Sequence, residues 1–352
     1  MHLVTNSAPV SMGGFGLLAP GRWIASDQNA FEIALLADRG TISLQAVGYR
    51  NFKDETEPGH DSLLIVIPGA WGDLLLLTPA LRVLRQENLD TKIGLACFKT
   101  HHPLFENFDS GIDELLPYPV DAEIAASYDA VISLENTLPK KTDVYATDLF
   151  AQELSVTVTN YLPSYLIGSE ELKLAQINYP KTDRPRVGLQ MVSSVPNRDY
   201  PLKQWMGVIQ GVINRGWDVV VFGHPMQYPK MKSSPHLTNL TLDKLTFRQS
   251  AAVLSQCAAF CGIDSAWLHM CFALNIPAVG LFGPFPWQIR TAKAPLTVAL
   301  SGTGECAGCQ WHLHAGQPFP PDKPCAAARQ CSVLASITPE RIVSKIDSLK
   351  PL

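Results

Sequence analysis

The chain has 352 residues, of which 46% are hydrophobic and 17% charged, with a formal net charge of −4. That composition supports more than one globular core. It lacks the basic excess of a protein that lives by neutralising a nucleic-acid backbone, and no apolar run reaches the roughly 18 residues of a membrane span. The opening "MHLVTNSAPVSMGG" shows no charged start followed by an apolar core, so a cytoplasmic protein is expected.

In chain order, residues 1–58 read as a small β appendage. "FEIALLADRGTISLQAVGYRNF" carries short β-prone stretches around "DRG", a hairpin signal, and "KDETEPGHD" follows as a linker. From Ser62 the pattern changes to strands alternating with helices. "SLLIVI" is fully apolar, as expected of a strand covered on both faces of a parallel sheet. It runs into "PGAWGDLLLLTPAL", where two glycines precede Asp73, and Thr78–Pro79 fit either a helix start or a kink. "KIGLACF" and "DAVISL" are further strands, and "ATDLFAQELSV" a helix. The polar, proline-rich "QINYPKTDRPRV" reads as an inter-domain hinge. A second series follows: strand "RVGLQMV", helix "LKQWMGVIQGVINRG" with a glycine cap, strand "DVVVFG", helix "TFRQSAAVLSQC", strand "AAFCGI", helix "SAWLHMCFALN" and strand "PAVGLFG". The expectation is α/β: two Rossmann-like, doubly wound domains facing a cleft, at 59–178 and 179–352, after the 1–58 appendage.

Neither half contains G-x-G-x-x-G or G-x-x-x-x-G-K-[ST], so dinucleotide and P-loop readings lose their support. Three strand-end stretches remain. In "GIDSAWLHMCFALN", Asp264 or Ser265 can cap a helix whose first N–H groups suit a pyrophosphate, with His269 one turn on. In "VPNRDYPLKQW", Arg198 and Lys203 are cations able to balance a departing diphosphate. Asp73 is either a plain N-cap or, at the carboxyl end of a first strand, a general base for an attacking hydroxyl. Each stretch taken alone is also compatible with ordinary capping or a solvated loop.

Cys97, Cys257, Cys261 and Cys271 lie in apolar segments and read as small core residues. Cys306, Cys309, Cys325 and Cys331 crowd into a finger at 303–333, C-x2-C followed by C-x5-C. In a reducing compartment that grouping favours a structural metal over disulfides, with His312 and His314 as substitute ligands. Zinc and iron both accept four thiolates.

Together and in this order, "GDLLLLTPAL", "RDYPLKQW" and "DSAWLH…LFGP" resemble glycosyltransferase family 9, the ADP-heptose heptosyltransferases. The resemblance covers roughly residues 62 to 348. It implies a GT-B architecture and inverting transfer of a heptose or related sugar from an ADP-sugar to a glycan, lipid-linked or protein hydroxyl, without a catalytic metal. Asp73 falls on the family's catalytic base, Gly72 beside it on the donor-binding side, and Arg198, both catalytic and donor-binding, on a phosphate-side lysine. Asp264, Ser265, Ala266, Trp267 and His269, with Lys203, fall on the donor-binding side, and Trp71 becomes a wall for the acceptor. The chain departs from the pattern in Arg198 for lysine and in Ala266, followed by bulky Trp267, where the motif has glycine after Asp-Ser. Some relatives that glycosylate autotransporter proteins combine an N-terminal β domain with a cysteine-bound iron finger, an arrangement this chain resembles in outline. A non-catalytic nucleotide-sugar-binding scaffold of the same fold is the alternative, an oxidoreductase is remote, and the oligomeric state stays open.

Overall fold

The computed structural model describes the strands within residues 2–46 and residues 61–351, apart from 107–109, 136, 139–141, 225–226, 229 and 312–329. Contacts divide it into two compact units, Met1–Pro139 with Ala146–Asn160, and Lys140–Tyr145 with Tyr161–Leu352.

The first unit begins with β1 (His2–Asn6), β2 (Val10–Met12), β3 (Gly16–Leu18), β4 (Gly21–Ala25) and β5 (Ser43–Ala46). β1 lies antiparallel between β4 and β5, and β2 pairs antiparallel with β3, as expected of a β appendage. The "DRG" hairpin lies outside the described residues. The Rossmann-like part follows as β6 (Ser62–Val66), α1 (Trp71–Glu87), β7 (Lys92–Cys97), β8 (Glu114–Pro117), β9 (Val120–Asp121), α2 (Ala122–Ala126), β10 (Ala130–Ser133) and α3 (Ala146–Glu153). β4 also pairs with β9, which ties the appendage to this unit.

The first unit's main sheet is parallel in the order β10-β6-β7-β8. Leu63 to Val66 are buried throughout, which explains a strand without polar alternation. α1 packs Leu74–Leu77, Ala80, Leu81 and Leu84 into the core. Thr78 and Pro79 sit in mid-helix, not at its start. Pro79 has no N–H to give the Leu75 carbonyl four residues back; the buried Thr78 hydroxyl donates to that oxygen instead, at 2.7 Å.

The second unit comprises α4 (Ser169–Asn178), β11 (Arg186–Gln190), α5 (Leu202–Asn214), β12 (Asp218–Phe222), β13 (Leu237–Asn239), α6 (Phe247–Leu254), β14 (Ala259–Ile263), α7 (Ala266–Ala273), β15 (Ala278–Phe282), α8 (Trp287–Thr291), β16 (Thr297–Ser301), α9 (Ser332–Ala335) and α10 (Pro339–Asp347). Its parallel sheet runs β13-β12-β11-β14-β15-β16, the order 3-2-1-4-5-6 of a dinucleotide-binding Rossmann sheet. The expected glycine cap of α5 is present, with Gly216 at φ +85°. Cys257, Cys261 and Cys271 are buried here and Cys97 is buried in the first unit, as small core residues. Among the described residues no helix is long and apolar enough to cross a membrane.

Candidate active site

In a sheet of this kind, the direction in which successive strands are added reverses at one point, and a crevice opens there at the carboxyl ends of the strands. In the first unit the switch lies between β6 and β10, and in the second between β11 and β14. The candidate residues collect at these two places.

In the first unit, β6 ends in Ile67-Pro68-Gly69-Ala70 and α1 begins at Trp71, with Ala70 as N-cap (φ −78°, ψ 170°). Alanine has no oxygen to cap with. Asp73, the third helical residue, reaches back instead, and its Oδ2 accepts the Ala70 N–H at 2.9 Å, half of a capping box. Asp73 is therefore not the N-cap; it is a first-turn carboxylate favoured by the helix dipole. Gly69 lets the loop pass close: a Cβ there would lie 3.1 Å from the Asp73 Cβ. Gly72 is buried within the same turn.

Trp71 is half-buried, its ring edge-on to His101 at 4.6 Å between centroids. His101 also meets Phe98 at 5.7 Å. Burial pushes the His101 imidazole down to about 4, opposed by the nearby Gly69 backbone. At neutral pH an uncharged imidazole therefore packs against Trp71 at the start of α1. Neither His101 nor Glu135 was flagged in the sequence. Glu135 is 7% exposed and follows β10, whose Ser133 is in register with Val66 of β6.

In the second unit, Ser265 is the extended N-cap of α7 but makes no side-chain cap bond to that helix. Its hydroxyl donates to the Gln190 amide oxygen at the end of β11, closing the gap between the two switch-point strands. The first amides of α7 are thus left without a side-chain cap. Asp264 is 4% exposed and meets two guanidinium groups: Arg198 Nη1 lies 3.7 Å and Arg290 Nε 3.4 Å from its Oδ2. Arg198 Nη1 also donates to the Asp264 main-chain oxygen at 3.2 Å. Both guanidinium carbons pack on the Phe285 ring, 4.5 and 4.7 Å from its centroid.

His269 is buried on α7, and burial holds its imidazole down at about 4; Asp264 opposes this while Arg290 and Arg198 add to it. Next to Arg198, Asp199 accepts from the Ser193 N–H at 2.7 Å, and burial raises its carboxyl to about 6. Ala266 opens α7. The Trp267 ring lies between Phe222 and Phe247 at 5.2 and 4.8 Å, inside the core, so its bulk is taken up by aromatic packing. Lys203 is exposed on α5 and makes no ion pair or hydrogen bond to a described residue. Arg198, Asp264, Ser265 and His269 are brought together; Lys203 is not shown bonded to them. Arg290, Phe285, Gln190 and Asp199 are additions that only the fold reveals.

Cys306 and Cys309 share a tight turn, with Cys309 N–H donating to the Cys306 carbonyl at 3.2 Å and Gly308 at φ +70°. Gly308 N–H donates to Gly283 O at 2.9 Å. A Cβ on Gly283 would lie 2.8 Å from Cys331 Sγ, so the third thiol approaches that same backbone. Cys325, His312 and His314 lie outside the described residues, and among the described residues no group of three or more ligands could hold a metal. A cavity of about 480 Å³ opens at the amino end of the second sheet. There Thr182, Arg184 and His236 already bond to Asp218, so its polar groups answer one another.

The family model for glycosyltransferase family 9 (heptosyltransferase) matches residues 144–319, half of the chain. Lipopolysaccharide heptosyltransferase 1 of Pseudomonas aeruginosa is 24% identical over 206 residues, 57% of this chain and 57% of that relative. The chain thus spans less than two thirds of that relative's length. Among solved structures, E. coli ADP-heptose lipopolysaccharide heptosyltransferase II is similar with a TM-score of 0.63 at 16% identity, over 82% of this chain and 98% of that one. The dodecameric iron-containing heptosyltransferase TibC of enterotoxigenic E. coli, solved with ADP-D-β-D-heptose, is similar with a TM-score of 0.64 at 15% identity, over 99% of this chain and 90% of that one. These likenesses give the fold, the GT-B arrangement of two parallel-sheet α/β domains. The three motifs, the switch-point geometry and the family match agree, and the chain belongs to glycosyltransferase family 9, the heptosyltransferases.

Proposed function

We propose that this protein transfers a heptose or related sugar from an ADP-sugar to an acceptor hydroxyl, by a single inverting displacement that needs no metal. The observation that carries this reading is the cluster at the β11/β14 switch point. The Arg198 guanidinium and the first turn of α7, without a side-chain cap, border a position suited to a diphosphate. Asp73 takes the proton of the acceptor hydroxyl, whose oxygen attacks the anomeric carbon. The bond from that carbon to the β-phosphate oxygen breaks, and its electron pair leaves with ADP. Arg198, the amides from Ser265 onward and, when a donor is bound, Lys203 receive the growing negative charge. His269, neutral at working pH, can hydrogen-bond a phosphate oxygen or a sugar hydroxyl without adding charge. Trp71 walls the acceptor. A lipopolysaccharide-type sugar hydroxyl is the acceptor class that the relatives suggest.

The same reading gives Cys306, Cys309, Cys325 and Cys331 a structural zinc or iron. It is supported by a four-thiol donor set and by the C-x2-C turn packed on the Gly283 backbone. TibC is described as iron-containing. Elemental analysis of the purified protein should find one metal per chain, lost in Cys306→Ser.

The reaction is tested by incubating the protein with ADP-heptose and candidate acceptors, with product mass read by mass spectrometry. A mass gain of one heptosyl residue with stoichiometric ADP is expected. Tight donor binding without turnover across lipid-linked, glycan and protein acceptors would sink the transferase in favour of a donor-binding scaffold.

A further inference from the structure

We propose that Arg290 is a second diphosphate-binding cation of the donor site, paired with Arg198 across Phe285. Arg290 lies on α8, beyond all three family-like stretches. Folding nevertheless brings its Nε to 3.4 Å from Asp264 Oδ2, the atom that Arg198 approaches at 3.7 Å. One carboxylate thus stands between two guanidiniums, and the Asp199 carboxylate acts on Arg198 as well. His269 beside them is held neutral by burial and does not change that balance. The side chains are 16%, 22% and 5% exposed for Arg198, Arg290 and Asp264. Arg198 thus has a second carboxylate near it, whereas Arg290 meets only the Asp264 carboxylate among the described residues, so Arg290 is the guanidinium of the pair with charge left to offer a ligand.

Arg290 Nε lies 3.4 Å from Asp264 Oδ2 in an ion pair, and its guanidinium carbon lies 4.7 Å from the Phe285 ring centroid. Its terminal Nη1 and Nη2 make no hydrogen bond to any described residue. A guanidinium held on one side by a carboxylate and a ring keeps these two nitrogens for a ligand, and together they suit two phosphate oxygens. Asp264 cannot itself bind a phosphate, since both are anions; its place is to hold the two guanidiniums at the mouth of α7. Arg290 is thus a binding residue for the β-phosphate, where negative charge accumulates as the bond from that phosphate's oxygen to the sugar breaks.

This inference rests on the ADP-sugar reading above, so the test must separate the two. Calorimetric titration with ADP and with AMP isolates the β-phosphate, using the full chain as wild type, Arg290→Gln and Arg290→Lys, with thermal midpoints recorded. Arg290→Gln should weaken ADP binding roughly tenfold to a hundredfold, as expected for a lost charge-assisted contact. AMP binding should change far less, and Arg290→Lys should fall between wild type and glutamine. A folded Arg290→Gln protein with an unchanged ADP-to-AMP ratio overturns the inference and leaves the donor reading intact. Equal losses of ADP and AMP also overturn it, because they mark Arg290 as a mere partner of Asp264. A wild-type protein that binds neither ADP nor ADP-heptose refutes the donor reading itself, and this inference with it.

Discussion

Asp73 has two duties that a single substitution can separate. Its Oδ2 accepts the Ala70 N–H at 2.9 Å and so starts α1, while the proposed chemistry requires a carboxylate that can take a proton. Asp73→Asn keeps an oxygen for the Ala70 N–H and removes the basicity. The lost first-turn charge should cost about 0.3–1 kcal/mol. Asp73→Ala loses both charge and cap bond and should cost about 1–2 kcal/mol. Transfer should instead fall by about 10²- to 10⁴-fold in both variants, the usual contribution of a positioned base. Urea unfolding gives the stability of each variant, and ADP release with saturating acceptor gives kcat. If Asp73→Asn keeps more than about a tenth of wild-type kcat while fully folded, Asp73 is only a helix-starting residue and the base assignment is wrong.

Three further outcomes follow from buried groups. Thr78→Val removes the hydroxyl that answers the Leu75 carbonyl in front of Pro79, leaving a buried acceptor unsatisfied; urea denaturation should show a loss of about 1–3 kcal/mol, and no loss would mean that the helix relaxes there. Arg248, whose side chain is 4% exposed, pairs with Glu171 and donates from Nη2 to its Oε2 at 2.8 Å. Arg248→Met should cost about 1–3 kcal/mol by removing charge-assisted hydrogen bonds to a partly exposed carboxylate, and no measurable cost would show the pair to be dispensable. Because burial lowers His269 from 6.5 to about 4, the unfolded chain protonates first; the stability this neutral imidazole confers is present above about pH 6.5 and lost as pH falls towards 4. That is about 3 kcal/mol over the window. His101 acts in the same direction. Asp199, raised to about 6, opposes them, its contribution being full below about pH 4 and lost as pH rises through 6. A chemical-shift titration of the imidazoles should show His269 uncharged at pH 6, and a midpoint there near 6.5 would contradict its assigned surroundings.

The sequence made the parallel strands legible because strands covered on both faces cannot hide their apolar runs: "SLLIVI", "DVVVFG" and "AAFCGI" all became central strands. Shorter or edge strands escaped. Glu114–Pro117 and Leu237–Asn239 are only four and three residues long, and none of the five residues of Thr297–Ser301 is fully buried, so none carries a continuous buried run. Thr78–Pro79 reads as either a helix start or a kink because propensity counts the missing proline N–H, and the helix continues through it with a hydroxyl supplied by the preceding residue. Local pattern reports what a residue does to its own turn; it is silent when the compensating group is a neighbour's side chain.

Charge arithmetic exposes the same limit at the site. A strand running into a helix N-terminus suits a phosphate in both units, yet an aspartate stands near that junction in each. In the first unit the contradiction is resolved locally, since Asp73 bonds the Ala70 N–H of its own loop. In the second it is resolved only by the fold. Asp264 faces Arg198 from the β11–α5 loop and Arg290 from α8, two segments far apart in the chain. Motif matching assigns Asp264 to the diphosphate because it stands beside the right helix. Coulomb's law assigns it to the cations that a diphosphate would need, and the distances agree with Coulomb's law. An acidic residue at a helix N-terminus therefore does not argue against an anion site where the fold sets a second cation against it from across the sheet.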